Sequence, residues 1–202
     1  MEGCLASNFH YNKIMESLVK QRQKRGNQIL FRKEDRLFQS LYLALAKVDE
    51  KTIILWALQL AKEAITNLEQ DGFPSVLLND MWEKTWAWAQ GSLKMPEAKA
   101  AILAVHVLAK ETPKKEQALL CHAIAQAGSC VHTTGHAMGF PLYELSAIIF
   151  TKGCEKGIPQ VMQRVVYYEK LLLQIEKAKQ KDVMVWASFI EKRGRKKANV
   201  NE

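Results

Sequence analysis

The sequence lacks any apolar run long enough to cross a membrane. The longest, AAILAVHVLA at residues 100–109, has ten residues, whereas a membrane-spanning helix needs about 20. The opening residues MEGCLASNFHYNK are polar and contain no apolar segment of the kind found in secretion signals. We therefore expect a cytoplasmic protein that does not associate with a membrane.

The sequence also lacks clustered cysteines. The four cysteines are Cys4, Cys121, Cys130 and Cys154. They form no C-x-x-C pair, which argues against a disulfide framework or a cysteine-based metal site. Cys121 and Cys130 lie in an alanine-rich apolar segment, where free cysteine usually acts as a small buried hydrophobic residue. A catalytic pairing of Cys130 with His106 has no local support in the sequence.

The common catalytic motifs are absent as well. There is no G-x-S-x-G, no P-loop and no G-x-G-x-x-G. No pair of carboxylates can be identified as a general acid and base. We therefore expect no catalysis and no cofactor.

The net charge of +8 is concentrated at the two ends of the chain. Residues 1–36 carry 8 Lys/Arg against 4 Asp/Glu, and residues 170–202 carry 9 against 4. The middle, residues 37–169, carries 12 against 13 and is nearly neutral. Basic ends can bind nucleic acid or an acidic surface, but these ends lack the interleaved aromatic residues typical of nucleic-acid binding.

Apolar residues recur at helical intervals almost throughout, and no stretch alternates as a half-buried strand would. Asp49 is expected to cap a long helix, and Pro96 suits the first turn of another. We therefore predict an all-α fold: a single-domain multi-helix bundle with a central Ala-rich helix and basic terminal segments. The connections are short, which favours antiparallel neighbours.

We divide the chain into a basic N-terminal helix or tail (1–33), a helical-bundle domain (34–193) and a basic disordered tail (194–202). The N-terminal helix is predicted over residues 10–24, with Ile14 and Leu18 on its apolar face. One continuous helix is expected over residues 114–137, broken near Gly139 and Pro141. A last long helix is expected to open at Gly157 and Pro159.

A polar stripe follows the alanine-rich segment 114–137. On one continuous helix its members lie within a sector of roughly 120°; they are His122, Gln126, Ser129, His132, Thr133 and His136. His106, on the preceding helix, is expected to face the same seam. We predict that these side chains form hydrogen bonds between packed helices, since buried polar groups normally find partners.

The stripe also permits a metal site. His132 and His136 have the spacing of zinc-binding H-x-x-x-H pairs. Thr133, however, stands where an H-E-x-x-H motif has its glutamate, and His122 lies about 21 Å from His136 along a straight helix. We predict no metal, and a metal-dependent enzyme using His132 and His136 remains an alternative.

Three tryptophans fall within seven residues of MWEKTWAWAQ (81–90). Trp82 and Trp86 share one helix face and are expected to fill the core, while Trp88 lies roughly 160° around the axis from Trp86. We therefore expect Trp88 to be half-exposed and to be a candidate partner contact, because exposed tryptophan is a common interface anchor.

Several stretches, taken in order, resemble a known family. They are LWALQLAKEAI (55–65), WEKTWAWAQGSL (82–93), AILAVHVLAK (101–110) and LLCHAIAQAGSCVHTTGHAMGFPLYEL (119–145). Over about residues 50–151 the sequence is similar to the putative immunity protein family of bacterial toxin–immunity systems, an all-helical group. The interruption at Gly139–Phe140–Pro141 departs from that family's smoother alanine-rich helix.

The resemblance implies a cytoplasmic protein that binds and neutralises a cognate protein toxin without chemistry of its own. We therefore predict a non-catalytic protein-binding protein, and the sequence leaves self-association open. A nucleic-acid binder acting through its basic termini is the other alternative beside the metal-dependent enzyme.

Overall fold

A computed structural model describes the backbone of residues 2–178 and 180–198 and the side chains of residues 13–178 and 181–193. In this part of the chain all regular structure is helical, which confirms the predicted all-α fold. The α-helices are α1 (Glu2–Lys24), α2 (Gln39–Lys47), α3 (Glu50–Gln70), α4 (Val76–Ala89), α5 (Met95–Glu111), α6 (Lys115–Ser129), α7 (Gly139–Lys177), α8 (Gln180–Val183) and α9 (Ser188–Ala198). Two 3-10 turns cover Arg36–Phe38 and Thr134–Met138. None of the helices in these residues combines the length and apolarity that a membrane crossing requires.

The alanine-rich helix α6 is central, as predicted. It packs against α3, α4, α5 and α7, and its alanines at 123, 125 and 127 are fully buried. A Cβ atom added to Gly128 would lie 2.7 Å from Met81 Sδ and 3.2 Å from Thr85 Oγ1. Small residues are therefore needed where α4 approaches α6, because packed interiors leave few voids.

Several helix ends follow local chemistry that the sequence predicts. The Asp49 carboxylate accepts a hydrogen bond from the Thr52 backbone N–H at 2.8 Å and caps α3. Pro96 lies in the first turn of α5, where its missing N–H leaves no hydrogen bond unmade. α4 ends before Gly91, whose φ of 82° favours glycine.

The continuous helix predicted over residues 114–137 is wrong in its extent. α6 ends at Ser129, and Thr133 adopts an extended conformation (φ −145°, ψ 112°) before the Thr134–Met138 turn. The segment after Ser129 contains β-branched residues and a glycine, which are weak helix formers. Arg193 of α9 also donates hydrogen bonds to the backbone carbonyls of Val131 and His132, which a continuous helix would use internally.

α7 begins at Gly139, so Gly139 and Pro141 open this helix instead of only breaking the previous one. Its interruption lies at Gly153 (φ 75°, ψ 169°) and not at the predicted Gly157 and Pro159. A glycine tolerates the positive φ that this break requires.

A largely buried polar network joins the two halves of α7 across Gly153. Arg164 donates two hydrogen bonds of 2.9 Å to the Glu144 carboxylate, one from Nε and one from Nη2. The Tyr168 hydroxyl donates to the same carboxylate, and Glu63 of α3 lies 3.5 Å from Arg164 Nη2. Burial and the neighbouring Glu144 raise the pKa of the fully buried Tyr168, so this hydroxyl stays protonated and remains a donor.

The N-terminal helix exists, but its buried face differs from the predicted one. Met15 and Val19 are buried, whereas Ile14 is 54% exposed and Leu18 is only partly covered. The loop after α1 is fastened by a bidentate Arg22–Asp35 ion pair at 2.6 and 2.7 Å.

The boundary between the N-terminal segment (1–33) and the helical-bundle domain (34–193) remains a prediction. Of the predicted tail, the backbone is helical as far as Ala198, and residues 199–202 lie outside the described residues.

Candidate functional site

Three of the chain's five histidines, His106, His132 and His136, line one cavity between α5 and the end of α6. The cavity has a volume of about 240 Å³, and we call it the histidine cavity. Its other lining residues are mainly apolar; they are Trp88, Met95, Lys99, Ile102, Leu103 and Ser129. Aspartate and glutamate are absent from this lining, as far as the described side chains reach.

His106 and His122 form a pair between α5 and α6. Their Nδ1 atoms lie 2.9 Å apart and their ring centroids 5.2 Å apart. One neutral imidazole donates a hydrogen bond to the other, which fixes opposite tautomers in the two rings. Burial lowers the pKa of both rings, and the positive charge of Lys110 lowers them further; a charge on His122 also lowers the pKa of His106. The pair is therefore held neutral at neutral pH.

His136, a lining residue of the cavity, forms a second contact with Gln126. His136 Nδ1 lies 2.9 Å from Gln126 Oε1, so that this nitrogen carries the donated proton. Gln126 lies in α6, and His136 lies in the 3-10 turn that follows the end of this helix. Gly139 permits this approach, because a Cβ atom there would lie 2.9 Å from Gln126 Cβ.

The remaining members of the predicted polar stripe have separate surroundings. The Ser129 hydroxyl donates to the Ala125 carbonyl at 3.0 Å, within its own helix. His132 is exposed, and its ring stacks on Trp88 with a centroid distance of 6.2 Å. Thr133 is exposed at the N-terminus of the 3-10 turn and its side chain makes no capping hydrogen bond. The structure thus separates the stripe: His122 pairs with His106 between α5 and α6, whereas Ser129, His132 and His136 line the cavity.

The expectation that Trp88 is half-exposed is wrong. Trp88 is 5% exposed, whereas Trp82 and Trp86 are only partly buried and stack on each other at 5.9 Å. The C-terminal segment covers Trp88. Phe189 of α9 stacks on Trp88 at 5.6 Å, and the Ala187 N–H donates to the Ala89 carbonyl at 2.8 Å. Trp88 therefore forms a wall of the histidine cavity and is not a freestanding surface anchor.

The break after Ser129 also changes the basis for a metal site. His132 and His136 do not share a regular helix, because α6 ends at Ser129 and the extended residue Thr133 lies between them. Within the residues that the structure describes, no three histidine, cysteine, aspartate or glutamate side chains are grouped so as to hold a metal ion. The Cys130 thiol is directed at the Gln126 carbonyl at 3.5 Å, and burial raises its pKa, so it is held as a neutral thiol.

Sequence reasoning missed the exposed side of α5. Leu103 and Val107 are 53% and 52% exposed and lie one turn apart, and Met95 is 42% exposed two turns before Leu103. Met95 and Leu103 also line the histidine cavity, together with Lys99. The sequence does indicate this surface. α5 is apolar both on this side and on the core side that contains Ile102 and Val105, whereas a helix with a single buried face needs apolar residues on one side only.

The chain was compared with known proteins. Residues 43–169 match the model of the family described as Imm-5 like putative immunity protein. No curated protein and no solved structure matches the chain. The matched segment runs from α2 into the second half of α7, so it contains the histidine cavity and excludes α1, α8 and α9. Because this match covers more than half of the 202 residues, the chain belongs to the Imm-5 like putative immunity protein family.

Proposed function

We propose that this protein binds and neutralises a cognate protein toxin of a bacterial toxin–immunity system. The observation that carries the proposal is the family match over residues 43–169. This segment holds the complete helices α3 to α6 and therefore the centre of the bundle.

We further propose that neutralisation occurs by occlusion of the toxin and not by chemistry at the histidines. The contacts of the histidines support a structural role for them. His106 is hydrogen-bonded to His122, His136 is hydrogen-bonded to Gln126, and the ring of His132 stacks on Trp88. Rings engaged in this way hold helices and the 3-10 turn in place. An occluding inhibitor requires such a fixed and complementary surface, in which a few anchors supply most of the affinity.

The proposal is tested by co-expression with toxins encoded beside the gene for this chain. We expect one of them to stop growth of a susceptible host when expressed alone, and growth to return when this chain is co-expressed. The purified pair should form a stable complex on size-exclusion chromatography. Persistent growth arrest with every neighbouring toxin, together with the absence of a complex, would overturn the proposal.

The purified protein without a toxin tests the two alternatives predicted from the sequence, a metal-dependent enzyme and a nucleic-acid binder. Stoichiometric metal in untagged protein, lost in His136→Ala, would support a metal-dependent enzyme. Retarded migration of RNA or DNA that fades with added salt and is lost on deletion of residues 192–202 would support a nucleic-acid binder.

A further inference from the structure

We infer that the histidine cavity and the exposed side of α5 together form the toxin-docking surface, and that the cavity receives one bulky apolar side chain of the toxin lying next to a carboxylate. The inference rests on the proposed function and adds to it the place and the chemistry of the contact.

The size of the cavity indicates a single side chain. Its volume of about 240 Å³ lies below the roughly 300–1,000 Å³ of sites that enclose a small-molecule ligand or cofactor. Trp88, Ile102 and Leu103 make its lining largely apolar. A pocket of this size and polarity suits an aromatic or large aliphatic anchor, which is the kind of residue that dominates binding energy at interfaces.

The charge of the lining indicates a carboxylate. Among the described residues that line the cavity, Lys99 is the one lysine or arginine and none is acidic. In the part of the chain that the structure describes, Lys99 forms no ion pair with a carboxylate. The nearest glutamates on α5, Glu97 and Glu111, lie about 160° and 120° around the helix axis from Lys99. Lys99 is therefore free to pair with a carboxylate of the partner.

The exposed apolar residues extend this site along α5. Leu103 and Val107 are each more than half exposed, and Leu103 also belongs to the cavity lining. A pocket continuous with an exposed apolar strip and a cationic rim has the layout of a protein interface, with an apolar centre and polar edges. Opposite charges across such an edge favour orientation and rapid association.

The chemistry of the site is tested with small probes that need no toxin. 3-Phenylpropionate carries a ring and a carboxylate, 3-phenylpropan-1-ol lacks the charge, and 3-phenylpropylamine reverses it. NMR titration should shift the Trp88 indole and His106 ring signals, with millimolar affinity for the carboxylate, as expected for a ligand of this size. We expect the carboxylate to bind about two- to fivefold more tightly than the alcohol, which lies within the range of an exposed ion pair.

The matched control for this titration is a second exposed lysine. Lys99→Gln should abolish the preference for the carboxylate, and Lys170→Gln on α7 should retain it. Equal affinity for the carboxylate and the amine, or the absence of any shift at Trp88, would overturn the inferred chemistry of the cavity.

The location of the surface is tested with the toxin itself. Leu103→Glu should weaken toxin binding by about 30-fold or more, as expected for a central anchor. Leu173→Glu, at a leucine on α7 that is equally exposed (51% against 53%), should bind as the wild type does. Thermal melting of both variants checks that they fold, and both substitutions are at exposed positions.

The outcomes separate the inference from the proposed function. If the wild type fails to protect against any neighbouring toxin, the proposed function is wrong, and the probe titration still decides whether the cavity accepts an apolar carboxylate. If the wild type protects and Leu103→Glu protects equally well, the inferred surface is wrong and the proposed function stands.

Discussion

Replacement of Arg164 by methionine tests whether the Glu144 network holds the two halves of α7 together. Glu144 is only 7% exposed and accepts two 2.9 Å hydrogen bonds from Arg164. Methionine fills a similar volume but leaves this carboxylate without its counter-charge. Removal of one partner from a buried ion pair costs about 3–5 kcal/mol. For a chain of this length, that corresponds to a fall in melting temperature of roughly 6–20 °C.

The assay is urea unfolding at pH 7.5, followed by circular dichroism at 222 nm. The matched control is Lys84→Met, which breaks an exposed ion pair between Lys84 and Asp80 and should cost less than about 0.5 kcal/mol. The double variant Glu144→Gln/Arg164→Met should recover part of the loss, since no uncompensated charge remains. If Arg164→Met costs no more than the control, the network does not have the role assigned to it.

Two further predictions concern the bundle around the histidine cavity. The pKa values of His106 and His122 are lowered by burial, so their contribution to stability should be complete above the ordinary value near 6.5 and should be lost as the pH falls through the lowered folded values. The urea midpoint should therefore drop between pH 7.5 and 5 more steeply in the wild type than in a His106→Phe/His122→Phe variant, and equal slopes would contradict this. Gly128→Val should cost about 2 kcal/mol or more, because its Cβ atom alone meets Met81 Sδ at 2.7 Å. Gly135→Val, where the nearest atom lies 3.8 Å away, should change the unfolding free energy by less than about 0.5 kcal/mol, and similar losses in both would refute the packing argument.

The features that the sequence predicts correctly depend on local chemistry. The Asp49 cap and the first-turn position of Pro96 involve only neighbours within a few residues, so the sequence pattern contains all the information they need. The central position of α6 follows from its small side chains, since few other residues would let several helices approach one helix so closely. The all-helical class follows from periodicity over the whole chain.

The features that it does not predict depend on contacts between distant segments. Trp88 is buried because Phe189, about a hundred residues later, covers it. α6 stops at Ser129 in part because Arg193 binds the carbonyls that follow. A helical wheel contains no information on either contact. The sequence predicts the buried face of α1 one residue out of register, since Met15 and Ile14 are both apolar and packing against distant segments such as α7 decides which is covered.

Amide hydrogen exchange of this protein, with and without its toxin, tests most directly whether the histidine cavity and the exposed side of α5 form the toxin-docking surface. We predict that toxin binding slows exchange in α5, residues 95–111, and in the turn at residues 134–138, which border the histidine cavity. Exchange in the second half of α7, around Leu173, should be unchanged. Protection confined to α1 or to the second half of α7, with α5 exchanging as in the free protein, would contradict it.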